Sequence, residues 1–140
     1  MGIALERPAD KINDNLKESE LRKLEQAIAE GPQDAEAYVH YALALERRGR
    51  LADAEREYRQ ATVLGPERAD LFVGYGDLLR RACRSGEAEA QYRKAISLSP
   101  GDFRAHFSYA QMLEEQRRLG EAEDEYVRAV SGGAGRMPSR

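Results

Sequence analysis

The sequence has few of the residues on which catalysis, metal binding and disulfide cross-linking depend. Its 140 residues include one cysteine, two histidines and no tryptophan. The lone Cys83 cannot form an intrachain disulfide, which favours a reducing compartment, and we expect a cytoplasmic protein. His40 and His106 lie far apart in the chain, and neither belongs to an HxxxH or HExxH motif. No metal site is therefore predicted.

The chain also lacks a recognisable catalytic or nucleotide-binding arrangement. It contains neither a GxGxxG nor a GxxxxGK[ST] loop. Arg80 and Arg81 could activate Cys83 as a nucleophile, but no histidine base stands nearby, so we interpret Cys83 as a small residue in an inter-helix turn. Adjacent acids such as Glu114 and Glu115 point to different faces of a helix. We therefore predict no enzymatic activity and no catalytic or cofactor-binding residue.

Charge and hydropathy give no reason to expect a nucleic acid or a membrane as the partner. The formal net charge is −3, from 25 acidic and 22 basic side chains, so the chain as a whole does not attract polyanions. No apolar run approaches the roughly 20 residues of a membrane-spanning helix. The first residues have no basic region and no apolar core, and they do not form a signal peptide.

Similar residues recur along the chain at a spacing of 34, and six of the seven tyrosines fall into two columns of this alignment. The aligned sets are Pro32, Pro66 and Pro100; Tyr41, Tyr75 and Tyr109; Leu45, Leu79 and Leu113; Ala54, Ala88 and Ala122; Tyr58, Tyr92 and Tyr126; and Ala61, Ala95 and Ala129. Self-similarity at this period indicates stacked units that bury a continuous core between them.

Each repeat is predicted to contain two helices. From Tyr38 onward the apolar residues follow i, i+3, i+4 and i+7, which is the pattern of one helical face. Asp34 is the predicted N-cap of this helix, and Gly49 ends it with a positive φ. The second helix stops before Gly65 and Pro66. In both helices small residues let the pair approach, and tyrosines such as Tyr92 fill the core beside them.

These columns resemble the tetratricopeptide repeat family, which has an aromatic opener, an Ala–aromatic–Ala pattern on the second helix and a closing proline. The openers here are Tyr38, Phe72 and the atypical His106. Cys83 and Arg117 take the place of Gly49, and the third unit lacks its proline. The resemblance covers 34–130 and implies an all-α fold, a right-handed solenoid of three helix-turn-helix repeats preceded by one capping helix.

Half a repeat precedes the first unit, and nothing comparable follows the last. Leu24, Ala27 and Ile28 stand one 34-residue step before the second helix of the first repeat, so they predict a capping helix with Asn15 at its start. The predicted segments are a mobile stretch 1–14, the capping helix 15–31, repeats 34–66, 68–100 and 102–130, and a disordered tail 131–140. Solenoids normally need a cap at each end.

One face of each first helix is not used in packing against the second helix of its repeat. The family resemblance implies that these faces line a concave groove that binds peptides. The candidate partner-binding residues are Val39, Leu43, Arg47, Val73, Asp77, Arg80, Arg81, Arg104, Phe107, Gln111 and Glu114. Val39, Val73 and Phe107 share one column, which predicts an apolar strip flanked by mixed charges. The alternative is that these three residues complete the packing between repeats.

The best-known groove of the resembling family binds the C-terminal carboxylates of heat-shock chaperones through basic and asparagine residues. Here Val39, Leu43 and Ser108 occupy key clamp positions, and only Arg104 matches. The resemblance therefore argues against a chaperone-tail clamp. An internal segment of a protein or peptide, with one or two apolar anchors, fits the predicted groove better.

Arginines gather near the turns between first and second helices, where they could form a basic ridge for an acidic partner. The second helices open with acids such as Asp53, Glu87 and Glu121. Bases at helix C-termini and acids at N-termini are what the helix dipole favours, so we prefer a structural interpretation.

The main functional hypothesis is a protein–protein interaction scaffold that binds its ligand in the groove. One alternative is a structural module that self-assembles, as a dimer or stack, through the uncovered C-terminal helix. Another is the non-catalytic adaptor region of a larger enzyme.

Overall fold

The computed structural model of the chain describes residues 8–31 and 34–133, with side chains described from residue 18 to residue 132. Every element in these ranges is a helix. The seven helices are α1 Pro8–Glu30, α2 Ala35–Arg47, α3 Leu51–Leu64, α4 Ala69–Arg81, α5 Ser85–Leu98, α6 Phe103–Glu115 and α7 Leu119–Gly133. The predicted all-α fold is therefore confirmed.

The helices pair along the chain into three antiparallel hairpins. These are α2 with α3, α4 with α5, and α6 with α7, and they stack because α3 contacts α4 and α5 contacts α6. Helix α1 packs on α2, and the first helices α4 and α6 also touch each other. The result is the predicted α-solenoid.

Small residues allow the close helix contacts that the sequence predicts. Ala54 and Ala88 are completely buried, and Tyr92 is completely buried between paired helices. A Cβ atom added to Gly76 would lie 2.8 Å from Cε1 of Tyr92, which is closer than real side chains approach. The tyrosine columns also meet across the repeats, since the rings of Tyr58 and Tyr75 stack with centroids 6.3 Å apart. The core assignment of Tyr92 is thereby confirmed.

The helix ends follow the predicted chemistry and extend it. The Asp34 side chain accepts a hydrogen bond from the backbone N–H of Glu36, and Asp102 caps α6 in the same way. Gly49 has a φ of 78°, and the residues aligned with it, Cys83 and Arg117, both have a φ of 63°. All three hairpin turns therefore use the left-handed region, although only one of them has a glycine there.

Both ends of the described chain are more helical than predicted. Helix α1 begins at Pro8, so Asn15 lies inside the helix instead of capping it, and residues 8–14 are helical instead of mobile. Helix α7 continues to Gly133, three residues into the stretch predicted as a tail. The remaining parts of both predictions, 1–7 and 134–140, lie outside the described residues.

A cluster of side-chain hydrogen bonds joins the first repeat to the second. Oε2 of Glu55 accepts from the Tyr75 hydroxyl at 3.2 Å, and the Arg84 guanidinium donates to both Glu55 oxygens at 2.6 and 3.1 Å. The hydrogen bonds from Arg84, partly opposed by burial, lower the pKa of Glu55. We call this set of a glutamate, a tyrosine and an arginine from two repeats an inter-repeat clasp.

The same clasp recurs between the second and third repeats. Glu89 accepts from the Tyr109 hydroxyl at 2.5 Å and from Arg118 at 3.2 and 3.3 Å. Burial alone would raise the pKa of Glu89, but the hydrogen bonds from Arg118, Tyr109 and Arg93 outweigh it and lower the pKa to about 2. The repeats are thus joined by buried polar contacts as well as by apolar packing.

In the described part of the chain, no helix combines the length and the apolar character that a bilayer crossing requires.

Candidate peptide-binding groove

The inner surface formed by α2, α4 and α6 is continuous from one repeat to the next. Arg81 of α4 forms an ion pair with Glu46 of α2. Nη1 of Arg80 donates to Oε1 of Gln111 on α6 at 3.4 Å. These contacts join neighbouring first helices through three of the candidate groove residues, Arg80, Arg81 and Gln111.

An apolar depression lies at the N-terminal part of the groove. It has a volume of about 420 Å³ and is lined by Leu43, Glu46, Arg47, Leu51 and Arg81. The Leu43 side chain is 39% exposed here. Oε1 of Glu46 is buried and accepts no hydrogen bond from the described residues. The depression therefore combines an exposed leucine with a charged rim that includes Arg47 and Arg81.

The C-terminal part of the groove is aromatic. Phe107 is 38% exposed, and its ring stacks on that of Phe103 with centroids 5.5 Å apart. The edge of Tyr126, from α7, packs against Phe107 at the same centroid distance. The Tyr126 hydroxyl donates to Glu114 at 2.8 Å, so this carboxylate is fixed beside the aromatic cluster. Arg104 is exposed on the same helix.

The middle of the groove differs from the predicted apolar strip. Val73 is completely buried in the core, and Val39 is partly buried against it, so of the three column members Phe107 alone is exposed. Asp77 accepts a hydrogen bond from the Tyr92 hydroxyl at 2.6 Å. Burial and the nearby Asp77 charge raise the pKa of Tyr92. The middle surface is therefore polar, and the packing alternative holds for Val73.

The sequence argument did not select Phe103, Leu51 and Tyr126 as groove residues. Phe103 is the first residue of α6 and stands four residues before Phe107, so the two rings share a helical face. That spacing was enough to predict from the sequence that Phe103 lies beside Phe107. Leu51 and Tyr126 belong to second helices, and their positions at the groove depend on how the two helices of a hairpin cross.

The arginines of the predicted basic ridge are largely engaged in ion pairs. Arg84 and Arg118 each pair with a glutamate of the preceding repeat and with one three residues ahead. Cys83 is exposed in its turn. Within residues 8–31 and 34–133, no group of three or more His, Cys, Asp or Glu residues is arranged to hold a metal ion.

Comparison with known families identifies the repeat. The tetratricopeptide repeat model matches the chain in three overlapping stretches, 21–70, 49–103 and 73–136. These stretches cover most of the sequence, and the chain belongs to the tetratricopeptide repeat family. This repeat is typically a non-catalytic scaffold for protein–protein interaction.

Solved structures confirm the fold. The chain is similar to a protein whose structure is described as a crystal structure of MamA, with a TM-score of 0.77, 22% identity, and coverage of 89% of this chain and 72% of that one. A second MamA structure matches with a TM-score of 0.75 at 22% identity, covering 88% and 67%. At this identity the likeness establishes the fold alone. No curated protein sequence matches the chain significantly.

Proposed function

We propose that the protein is a non-catalytic scaffold that binds an internal segment of another polypeptide along the groove of α2, α4 and α6. The observation that carries the proposal is the exposure of Leu43 and Phe107 on first helices at opposite ends of this groove. Leu43 lines the depression, and Phe107 forms contiguous apolar surface with Phe103, which is the kind of surface that marks a protein interaction site. The two residues supply two apolar anchor points with polar surface between them.

The proposal specifies a ligand with two apolar side chains separated by a polar linker. Its first apolar side chain enters the depression beside Leu43, where the Arg47 and Arg81 side chains at the rim can pair with an acidic group of the ligand. Its second packs on the Phe103 and Phe107 rings, next to Arg104. Between them it meets Asp77 and Arg80, which suit a polar linker. A ligand bound mainly by its terminal carboxylate does not fit, because Val39, Leu43 and Ser108 stand where the carboxylate clamp has basic and asparagine residues.

The test begins with peptides selected from a random phage-displayed library against the wild-type chain. Affinities of the selected peptides are then measured by fluorescence anisotropy for Leu43→Asp, Phe107→Ala and the control Val63→Asp. Val63 is 66% exposed on α3, away from the first helices, so its substitution carries the same kind of change outside the groove.

We expect the Leu43 and Phe107 variants to bind at least about tenfold more weakly, since each loses a buried apolar contact of about 1.5 kcal/mol or more. The Val63 variant should bind normally, and all three should keep a wild-type circular-dichroism spectrum. Equal affinity of all variants would show that the peptides bind elsewhere.

A cytoplasmic location, which the single cysteine favours, stays a prediction of the sequence.

A further inference from the structure

The outer face of α7 carries an exposed apolar groove of about 530 Å³. Leu119, Val127 and Val130 on this face are 55%, 58% and 68% exposed. Ala122 and Tyr126 complete the stripe, because the five residues recur at helical spacing along one side of α7. A continuous stripe of this kind marks a surface that receives another element.

The equivalent faces of the other second helices are covered. Helix α4 packs on α3, and α6 packs on α5. Ile96, which the 34-residue repeat aligns with Val130, is partly buried against the core by this packing. The α7 face is therefore the third of three similar surfaces, and the other two each receive a first helix of the following repeat.

A carboxylate on the α7 face indicates which side chains its occupant must carry. Glu123 aligns with Glu55 and Glu89, the acceptors of the two inter-repeat clasps. Glu123 is exposed, lines the apolar groove, and forms no ion pair with the described residues. In each existing clasp the donors are a tyrosine and an arginine that stands nine residues after it. An occupant with the same pair would complete a third clasp.

The first repeat of this chain carries that pair. Tyr41 and Arg50 are nine residues apart and align with Tyr75 and Arg84. Among the described residues Arg50 bonds only to Asp53 of its own repeat, at 2.9 Å. Arg84, in contrast, reaches both its own repeat and the preceding one. Among the described residues, Arg50 of the first repeat thus has no glutamate partner from another repeat, and Glu123 of the third repeat has no arginine partner.

Helix α1 covers the corresponding face of α2, but without a clasp. Leu21 of α1 stands at the position of Glu55 and Glu89, so Arg50 finds no carboxylate there. The Tyr41 hydroxyl donates instead to Glu25, at 2.8 Å. The ion pairs between α1 and the end of α2 join Arg47 to Glu20 and Arg48 to Glu18, and three of these four side chains are at least half exposed, so the pairs contribute little to stability. The interface of α2 would therefore gain a clasp if a helix with a glutamate at the position of Leu21 replaced α1.

We propose that the α7 face binds α2 of a second copy of this chain, whose own α1 has moved aside. The new interface continues the repeat from one molecule into the next. Glu123 of one copy accepts from Tyr41 and Arg50 of the other, and Val130 is covered as Ile96 is inside the chain. The contact joins two different surfaces, so it propagates head to tail into an open stack or a ring. It does not depend on ligand binding in the concave groove.

Sedimentation equilibrium of the full chain over a wide concentration range tests the proposal. The weight-average mass of the wild type should rise with concentration. Glu123→Arg and Arg50→Glu should each weaken this association by about tenfold or more, since each places like charges in the clasp. Asp124→Arg is the matched control for the first variant and Arg56→Glu for the second, because each makes the same charge change on an exposed neighbour. Both controls should associate like the wild type.

Mixing the two clasp variants gives a sharper readout. Either variant alone brings two like charges together at each contact between copies. In an equimolar mixture the two variants can alternate, so that every contact holds one arginine and one glutamate. Association should then return to near the wild-type level. Leu21→Ala should strengthen association, because it loosens α1 from the face that the second copy needs.

Three outcomes would overturn the proposal. One is a wild-type chain that stays monomeric at every concentration. Another is association that the clasp variants do not weaken, or that mixing does not restore, which would place the contact elsewhere. The third is a monomeric chain that binds a synthetic peptide of residues 69–84, which carries Tyr75 and Arg84. The α7 face would then receive a helix of a different polypeptide.

Discussion

Nδ1 of His106 lies 2.7 Å from Oε1 of Glu125, and both side chains are buried between α6 and α7. Nε2 of the same ring lies 2.6 Å from the carbonyl oxygen of Pro100. A carbonyl oxygen and a carboxylate both accept hydrogen bonds, so both ring nitrogens of His106 face an acceptor. A polar ring thereby fills the place that Tyr38 and Phe72 fill in the other repeats.

This arrangement predicts the effect of restoring an aromatic opener. His106→Phe should lower the free energy of unfolding by about 1–3 kcal/mol, because Glu125 and the Pro100 carbonyl lose a buried donor. Urea unfolding followed by circular dichroism measures the change. His40→Phe is the control, since His40 is exposed and its substitution should change stability by less than about 0.5 kcal/mol. A fully stable His106→Phe variant would contradict the assignment.

The contact between Gly76 and Tyr92 predicts opposite effects for two glycine substitutions. Gly76→Ala should destabilise the chain by about 1–2 kcal/mol, because its Cβ would lie 2.8 Å from a buried ring. Gly86→Ala, in α5, meets nothing within 4 Å and should stabilise by about 0.5–1 kcal/mol. Thermal melts of both variants decide the point. A stabilising effect at both positions would show that the ring moves aside freely.

The left-handed residues of the turns predict a second pair of opposite effects. Cys83→Gly should stabilise the chain by about 0.5–1 kcal/mol, because a φ of 63° is costly for a residue with a Cβ. Gly49→Ala should destabilise it by about 1 kcal/mol for the same reason. Chemical unfolding measures both. Loss of stability in the Cys83 variant would mean that its side chain contributes more than its backbone costs.

The pKa of Glu89, lowered to about 2, predicts a stability that falls in acid. The folded state favours the ionised carboxylate relative to the unfolded chain, where the pKa is about 4.3. The stabilisation is thus complete above about pH 5 and is lost as the pH falls towards 2. Glu89→Gln should cost on the order of 1–3 kcal/mol at pH 7 and flatten the decline of stability between pH 5 and 2. Unfolding titrations at several pH values measure it.

The control for this pH dependence is Asp124→Asn on α7, since Asp124 is exposed and forms no ion pair with the described residues. Its stability profile should run parallel to that of the wild type. A Glu89→Gln profile as steep as the wild type would show that other carboxylates cause the acid dependence.

Residue size and spacing were enough to predict most of the fold. The alanine columns and Tyr92 follow from local chemistry that repeats in every unit, and the cap at Asp34 from the chemistry of one helix start, and the structure places each as expected. The start of α1 was also readable, because proline is favoured at the first helical position and Pro8 stands there.

The groove was harder to predict because periodicity assigns equal environments to aligned residues. Val39, Val73 and Phe107 share a column, yet their burial differs because α4 is flanked by helices on both sides and α6 is not. The clasps were missed for a related reason. The donor and the acceptor of each clasp belong to different repeats, and the alignment compares repeats without showing which side chains meet across their boundary.

The turn between α4 and α5 gives the chain a practical property. Its left-handed corner carries the only thiol in the sequence, and that thiol is exposed. A maleimide dye or a spin label therefore attaches at one site of the natural protein, without any engineered cysteine. Because the backbone N–H of Cys83 donates to the carbonyl of the candidate groove residue Arg80, such a probe would report on ligand binding as well as on assembly of the chain.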